Sequence, residues 1–93
     1  MNTATNWDAS EYLETEEDMA AYLNAVLEDG NTSVITAALG DIARAKGMTQ
    51  LSKETGITRD GLYKALSPTG NPSFDTVQKV VRAFGLKLDV AAI

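Results

Sequence analysis

Apolar residues recur at helical spacing in three long stretches of the chain, which predicts a mainly helical protein. The stretches cover residues 15–30, 31–47 and 73–85, and each ends at a glycine, a residue that closes a helix cheaply because it tolerates positive φ. Thr15, followed by three acidic residues, is typical of a helix start. The predicted buried stripes are Met19, Tyr22, Leu23, Val26 and Leu27 in the first helix, Ile35, Ala38, Leu39 and Ile42 in the second, and Phe74, Val77, Val80, Val81 and Phe84 in the last.

Two short helices are predicted between the second and last long ones, over 48–55 and 59–67, with a loop over 68–72. Steeply crossing helices need a small residue where their axes approach, and Ser52 occupies that place. A tight turn after the first short helix favours positive φ, and Gly56 supplies it. Three apolar residues are expected to face inward and fix the pair against the rest of the chain: Leu51, Ile57 and Leu62.

The last eight residues change period. Leu86, Leu88 and Val90 alternate with polar or small residues, which predicts a short strand over 86–93. A strand needs a partner for its backbone groups, and the rest of the chain shows no second one. We therefore expect the same strand of another copy to pair with it and form a dimer; the alternative is a packed tail without sheet pairing.

These patterns together predict an all-α fold of five helices with a short C-terminal strand, in a single domain over 15–93. Residues 1–14 show no helical period and are expected to form a flexible arm. Trp7 is the only bulky apolar side chain of residues 1–10, and it can dock on the body.

The composition of the 93-residue chain excludes several classes of site. The chain has no cysteine and no histidine, which removes disulfides, thiolate zinc sites and every nucleophile paired with histidine. The acidic residues also lack the spacing of a calcium loop. We therefore expect no enzyme activity, no metal and no cofactor.

No apolar run approaches the roughly 18 residues of a membrane span, and the first five residues lack the basic and apolar stretches of a secretory signal. The expected location is therefore the cytoplasm, without membrane attachment.

The net charge of −5 hides an unequal distribution. Residues 1–30 contain eight acidic residues and no lysine or arginine, whereas residues 31–93 contain eight basic and five acidic residues. Five of the basic residues lie between positions 44 and 64. Each sign of charge selects a different kind of partner, so this asymmetry indicates two interactions; a solvated acidic helix beside a mildly basic domain is the alternative.

The window 48–67, MTQLSKETGITRDGLYKALS, has the features of a helix-turn-helix. In that motif the second helix contacts base edges with its N-terminal residues, and the start of the first helix contacts phosphate. The outer face of the second short helix is polar and rich in hydrogen-bond donors. One helix before the pair and a loop and helix after it give the order of the phage-repressor-like (XRE/Cro type) fold, although a purely structural hairpin can show the same local pattern.

Nearly the whole chain, from about Trp7 to Leu88, resembles the HigA-like addiction-module antidotes, which are antitoxins of type II toxin–antitoxin pairs. The most specific segments are ALGDIARAKGM, LYKALS and the GNPSF loop. The resemblance implies a dimeric cytoplasmic antitoxin that neutralises a small basic toxin of the RelE/ParE type by direct binding. It also implies a repressor that binds operator double-stranded DNA of its own operon through residues 31–85.

The repressor-like pattern assigns DNA contacts residue by residue. Base contacts are expected at Arg59, Asp60, Tyr63 and Lys64, and phosphate contacts at Thr49, Gln50 and Thr58. The chain departs from the pattern at Met48, where many repressors have glutamine, and the first short helix is shorter than in many relatives of the broader fold.

Each assignment has a structural alternative. Arg59 can bind guanine or pair with Asp60, and Asp60 can accept from cytosine or simply favour its helix N-terminus. Tyr63 can contact a thymine methyl group or a phosphate, or pack as a half-buried side chain. Lys53 and Lys64 can reach phosphates or remain solvated, and Asn71 and Ser73 can reach a phosphate or stabilise their loop.

The acidic helix over 15–29 is expected to repel DNA and attract a basic protein. The candidate toxin contacts are Glu16, Glu17, Asp18, Glu28 and Asp29. Carboxylates in the first turn of a helix also occur for dipole reasons alone, which is the alternative.

Two further functions fit the sequence. One is a stand-alone repressor-like regulator without a toxin, which lacks a neighbouring gene for a small basic protein. The other is a protein-binding module whose helix-turn-helix has lost DNA affinity, which the overall negative charge allows and the exposed Arg59 and Lys64 oppose.

Overall fold

Five helices in sequence order form the framework of residues 13–93. The computed structural model describes residues 13–93. The helices are α1 (Glu16–Asp29), α2 (Thr32–Lys46), α3 (Met48–Thr55), α4 (Arg59–Ala65) and α5 (Phe74–Ala83). Their number and order agree with the sequence prediction, and the all-helical class is confirmed for the residues that the structure describes.

Side-chain caps begin the helices where the sequence indicated. The Thr15 hydroxyl accepts a hydrogen bond from the Asp18 N–H, and the Asp18 carboxylate accepts one from the Thr15 N–H, which forms a capping box. Asn31 and Ser73 cap α2 and α5 with one bond each, since their side-chain oxygens accept from the N–H groups of Val34 and Thr76. Gly30, with a φ of 80°, ends α1 as expected. The local signals therefore place these helix ends correctly.

The core draws buried side chains from all five helices; α1 packs on α2, and α3 contacts α2, α4 and α5. Its largest fully buried side chains are Ile42, Leu51, Leu62, Val80 and Phe84. The prediction of burial is wrong for two residues of these stripes, because Leu27 is 47% exposed and Phe74 is 69% exposed. Helical period identifies the inward face of a helix but not how far along it the neighbouring elements extend.

The predicted strand over 86–93 is wrong for the single chain, because these residues have no regular secondary structure. The Leu86 N–H donates to the Val81 carbonyl, and after it no backbone group of residues 87–93 bonds to the backbone of another residue in the range 13–93. An extended segment is a strand only when a neighbour completes its ladder, and the described chain supplies none.

Two other boundaries bear on the predictions. The helix predicted over 59–67 ends at Ala65, and Leu66 is its C-cap. Most of the arm predicted over 1–14, including Trp7, lies outside the described residues, whereas Leu13 is described and is buried. No helix within residues 13–93 is long and apolar enough to cross a membrane.

Removing the side chain of Ile42 tests the position of the core. Ile42 is fully buried, so Ile42→Ala should lower the free energy of unfolding by about 2–5 kcal/mol, through lost burial and the cavity left behind. Val34→Ala on the same helix is the control, because Val34 is exposed and its truncation should change stability by about 0.5 kcal/mol or less. Urea denaturation measures both; equal losses would contradict the described core.

Candidate nucleic-acid interface

A tight turn of three residues joins α3 to α4 and fixes their relative direction. Gly56 adopts a φ of 77°, and its N–H donates to the Ser52 carbonyl at 2.9 Å. The Ser52 hydroxyl donates to the Ile57 carbonyl at 2.5 Å, and the Thr55 hydroxyl accepts from the Ile57 N–H at 3.2 Å. Ser52 is therefore more than a small residue at a close approach, because its side chain holds the turn.

The inner sides of α3 and α4 are anchored in the core. Leu51 and Leu62 are fully buried, as the sequence predicted, whereas Ile57 in the turn is half-buried. Burial of these side chains on both helices leaves little freedom to rotate either one without losing core contacts. The outward-facing residues of α4 are thereby held in place.

Two glycines allow close contact with the C-terminal end of α4. A Cβ on Gly40 of α2 would lie 2.6 Å from the Leu66 carbonyl oxygen, and one on Gly70 would overlap the Ala65 carbonyl oxygen. Both positions therefore require glycine. Sequence reasoning missed this role, although Gly40 in the middle of a helix was a usable signal, since such a glycine costs about 1 kcal/mol and usually has a packing reason.

The four predicted base-contacting residues lie together on the outer face of α4. Arg59, Asp60, Tyr63 and Lys64 are all exposed, and their helical positions cover one continuous arc opposite the buried Leu62. Tyr63 is 46% exposed, so its ring is open to a partner. A single ligand can therefore contact a guanidinium, an ammonium, a phenol and a carboxylate on this face.

The three predicted phosphate-contacting residues are also exposed, but two have internal partners. The Thr58 hydroxyl oxygen accepts from the Gly61 N–H at 3.0 Å and caps α4, and its own O–H stays free to donate. The Gln50 amide donates to the Glu54 carboxylate at 2.9 Å and keeps its second hydrogen. Thr49 is exposed near the start of α3.

The basic side chains of α3 and α4 form no salt bridge within residues 13–93. The salt bridges of this range join Arg44 to Asp41 and Lys79 to Asp75. The Arg59–Asp60 pair that the sequence left open is not formed. The charges of Arg59 and Lys64 are thus directed to solvent, where an external anion can bind them.

Of the two residues before α5 that could reach a phosphate, Asn71 and Ser73, the structure gives Ser73 a structural role. The Ser73 hydroxyl accepts from the Thr76 N–H and donates to the Thr76 hydroxyl, both at 3.1 Å, so its bonding capacity serves the helix cap. Asn71 is exposed.

The five acidic residues of α1 are all exposed but do not form one cluster. Asp18 belongs to the capping box, and the Glu16 side chain lies against Gly85 at the end of α5. Glu17 and Glu28 are eleven residues apart, which places them on one exposed stripe of α1 about 16 Å from each other. Asp29 ends the helix beside Glu28.

A polar link between α1 and α2 was not anticipated from the sequence. The Tyr22 hydroxyl donates to the Asp41 carboxylate at 2.7 Å, and Arg44 pairs with the same carboxylate. Burial, and then the bond to Asp41, raises the pKa of Tyr22 from 10.0 to about 12. Tyr22 and Asp41 are 19 positions apart, and no local pattern reveals such a contact.

Comparison with known proteins agrees with the antidote resemblance over nearly the whole chain. The family model described as "Probable addiction module antidote protein" matches residues 3–92. The chain belongs to this antidote family. An uncharacterized protein of Haemophilus influenzae (strain Rd) is 51% identical over 85 residues, which covers 91% of this chain and 88% of the relative. No solved structure matches.

Membership in the antidote family supports an antitoxin role and implies a toxin as partner. Within residues 13–93 no group of three or more acidic side chains is arranged to hold a metal ion.

The link between α1 and α2 predicts a specific pH dependence. Because the folded state holds the Tyr22 proton more tightly than the unfolded state, its contribution is complete below pH 10 and is lost as the pH rises toward 12. Stability of the wild type should therefore fall more steeply than that of Tyr22→Phe between about pH 9 and about pH 11. Urea denaturation at the two pH values measures this, and parallel losses would contradict the assignment.

Proposed function

We propose that this antitoxin represses its own operon by sequence-specific binding to double-stranded DNA and neutralises a small basic RelE/ParE-type toxin by direct contact, in the manner of HigA proteins. In this proposal α3 and α4 are a repressor-like helix-turn-helix and α4 is the recognition helix. The observation that carries it is the exposed face of α4, whose Arg59 and Lys64 have no internal partner within residues 13–93.

Base reading is proposed for the exposed face of α4. A guanidinium can donate two hydrogen bonds to guanine O6 and N7, which discriminates between bases by about 1–3 kcal/mol, so Arg59 is the main specificity residue. Asp60 can accept from cytosine N4, and the Tyr63 ring can pack on a thymine methyl group. The buried Leu62 and the bonded turn hold this face in one orientation, so less order has to be gained on binding.

Phosphate binding is proposed for the exposed donors of α3 and of the turn. The free O–H of Thr58, the second amide hydrogen of Gln50 and the hydroxyl of Thr49 can bind phosphate oxygens, and Lys53 and Lys64 add charge. Such contacts fix the position of the protein on the duplex and make the affinity depend on salt.

A homodimer is part of the proposal, because one α4 reads only a few base pairs. Two copies related by a two-fold axis would bind an inverted repeat whose half-sites are about one helical turn, or roughly 34 Å, apart.

Toxin contact is proposed for the exposed stripe of α1 marked by Glu17 and Glu28, with Asp29 beside it. RNA-degrading toxins act on polyanions and are usually basic, so a negative stripe attracts them while it repels DNA. The opposite charges of α1 and α4 therefore favour separate surfaces for the two partners. Glu16 and Asp18 are less suited to this contact, because they lie against Gly85 and in the capping box.

Two single substitutions on α4 test the DNA proposal. Arg59→Ala should remove one base contact in each half-site, which costs about 1–3 kcal/mol of discrimination per contact. The preference for upstream DNA over scrambled DNA should fall accordingly. Lys64→Ala should instead weaken binding to both DNAs alike and lower the salt dependence by about one phosphate contact.

The measurement is fluorescence anisotropy at two salt concentrations, with Lys79→Ala as the control on α5, where Lys79 pairs with Asp75. If both α4 variants bound upstream DNA as tightly as the wild type, the recognition face would be misassigned.

Charge reversal on α1 tests the toxin proposal. Glu17→Lys combined with Glu28→Lys should weaken binding to the small basic protein encoded beside this gene by about tenfold, since two attractive contacts become repulsive. Calorimetric titration measures the affinity, and Glu54→Lys with Asp75→Lys is the charge-matched control away from α1. Unchanged affinity would exclude this stripe, and a gene without such a neighbour would favour a stand-alone regulator.

A further inference from the structure

The segment after α5 exposes apolar side chains that neither proposed partner uses. Leu88 is 39% exposed, Val90 is 93% exposed, and the final residue Ile93 is fully exposed. These residues continue from Leu86, which is half-buried against the core. A run of exposed, alternating apolar residues next to the core is typical of a surface that another chain covers.

The structure assigns this segment as a self-association surface: we propose that residues 86–90 of two copies lie antiparallel, with Leu88 facing Leu88 of the second copy. The inference rests on the homodimer of the proposed function and specifies where its two copies meet. The occupant is a second copy of this chain, and the argument for it comes from the backbone, the charges and the adjacent groove.

The backbone of this segment is open to a partner. After the bond from the Leu86 N–H to the Val81 carbonyl, residues 87–93 form no backbone–backbone hydrogen bond with residues 13–93. The Val90 N–H donates only to the adjacent Asp89 side chain, at 2.9 Å. A second copy in extended conformation would satisfy these N–H and C=O groups.

Charge complementarity selects a second copy and one register. With Leu88 at the two-fold axis, Lys87 of each copy lies opposite Asp89 of the other, which gives two pairs of opposite charge on one face of the ribbon. Leu86 of each copy lies opposite Val90 of the other, on the same face as Leu88. An axis moved by one residue to Lys87 or to Asp89 would place identical charges opposite each other. The sequence of the segment is therefore complementary to itself in the Leu88-centred register.

The groove beside the segment supplies the packing that a two-stranded pair needs. Leu23 and Leu27 of α1 line a groove together with Leu86, Leu88 and Val90. A ribbon of two strands is marginal in water unless a helix covers one face, and α1 of each copy is positioned to do so. This also gives a reason for the exposure of Leu27, which the single chain leaves uncovered.

Charge exchange between Lys87 and Asp89 tests the proposed register. Lys87→Asp alone places carboxylates opposite carboxylates, and Asp89→Lys alone places ammonium groups opposite each other. Each variant should form homodimers about tenfold more weakly than the wild type. An equimolar mixture of the two variants should form a heterodimer at wild-type affinity, and the double variant should dimerise like the wild type.

Sedimentation equilibrium of the full chain and native mass spectrometry of the mixture measure these affinities, with Lys79→Asp at an exposed position of α5 as the charge-matched control. Wild-type dimerisation of both single variants, or a mixture that does not recover, would overturn the register. A wild type that stays monomeric at every concentration would overturn the surface itself. Anisotropy on a single half-site reports DNA binding separately, so a failure of this inference is distinguishable from a failure of the proposed function.

Discussion

Helix α2 buries Ala38, Leu39, Gly40, Ile42 and Ala43 between its neighbours, and the rest of the structure depends on this packing. Small side chains predominate in this stretch, which allows close approach on more than one side. The absence of a side chain at Gly40 allows contact with the backbone just after α4. The next residue along, Asp41, accepts the hydrogen bond from Tyr22 of α1. One short segment of α2 thus contacts both α1 and the residue that follows α4.

Helices α1 and α4 carry opposite net charge, which suits the opposite partners proposed for them. The exposed stripe of α1 is acidic, whereas the exposed face of α4 includes Arg59 and Lys64 without an internal counterion in the described residues. An evenly mixed surface would attract neither a polyanion nor a basic protein selectively. Separating the charges on two helices joined through α2 gives one small chain two distinct binding surfaces, in keeping with an antidote that must bind a toxin.

Local signals in the sequence were sufficient for the helices and for the inner side of the α3–α4 pair. Thr15, Ser73 and Gly56 act through neighbours a few positions away, so their roles could be predicted from pattern alone. Contacts between distant positions could not. The Tyr22–Asp41 bond and the approach of Gly40 to the residue after α4 depend on how helices pack, which helical period does not determine.

The C-terminal segment shows a different kind of limit. The alternation of Leu86, Leu88 and Val90 is a genuine period-two pattern, yet the single chain forms no strand there. Period two reports which side chains can share a face, but a ladder requires a second backbone. The pattern is therefore informative about a possible partner rather than about the fold of the isolated chain.

In the proposed division between surfaces, α3 and α4 bind DNA and α1 does not. Amide chemical-shift changes during titration with the upstream DNA duplex test it most directly, with a scrambled duplex as the reference. We expect the largest upstream-specific changes on residues 49–50 and 58–64, whereas residues 16–29 should stay nearly unchanged. Changes concentrated on α1, or identical changes with both duplexes, would contradict it.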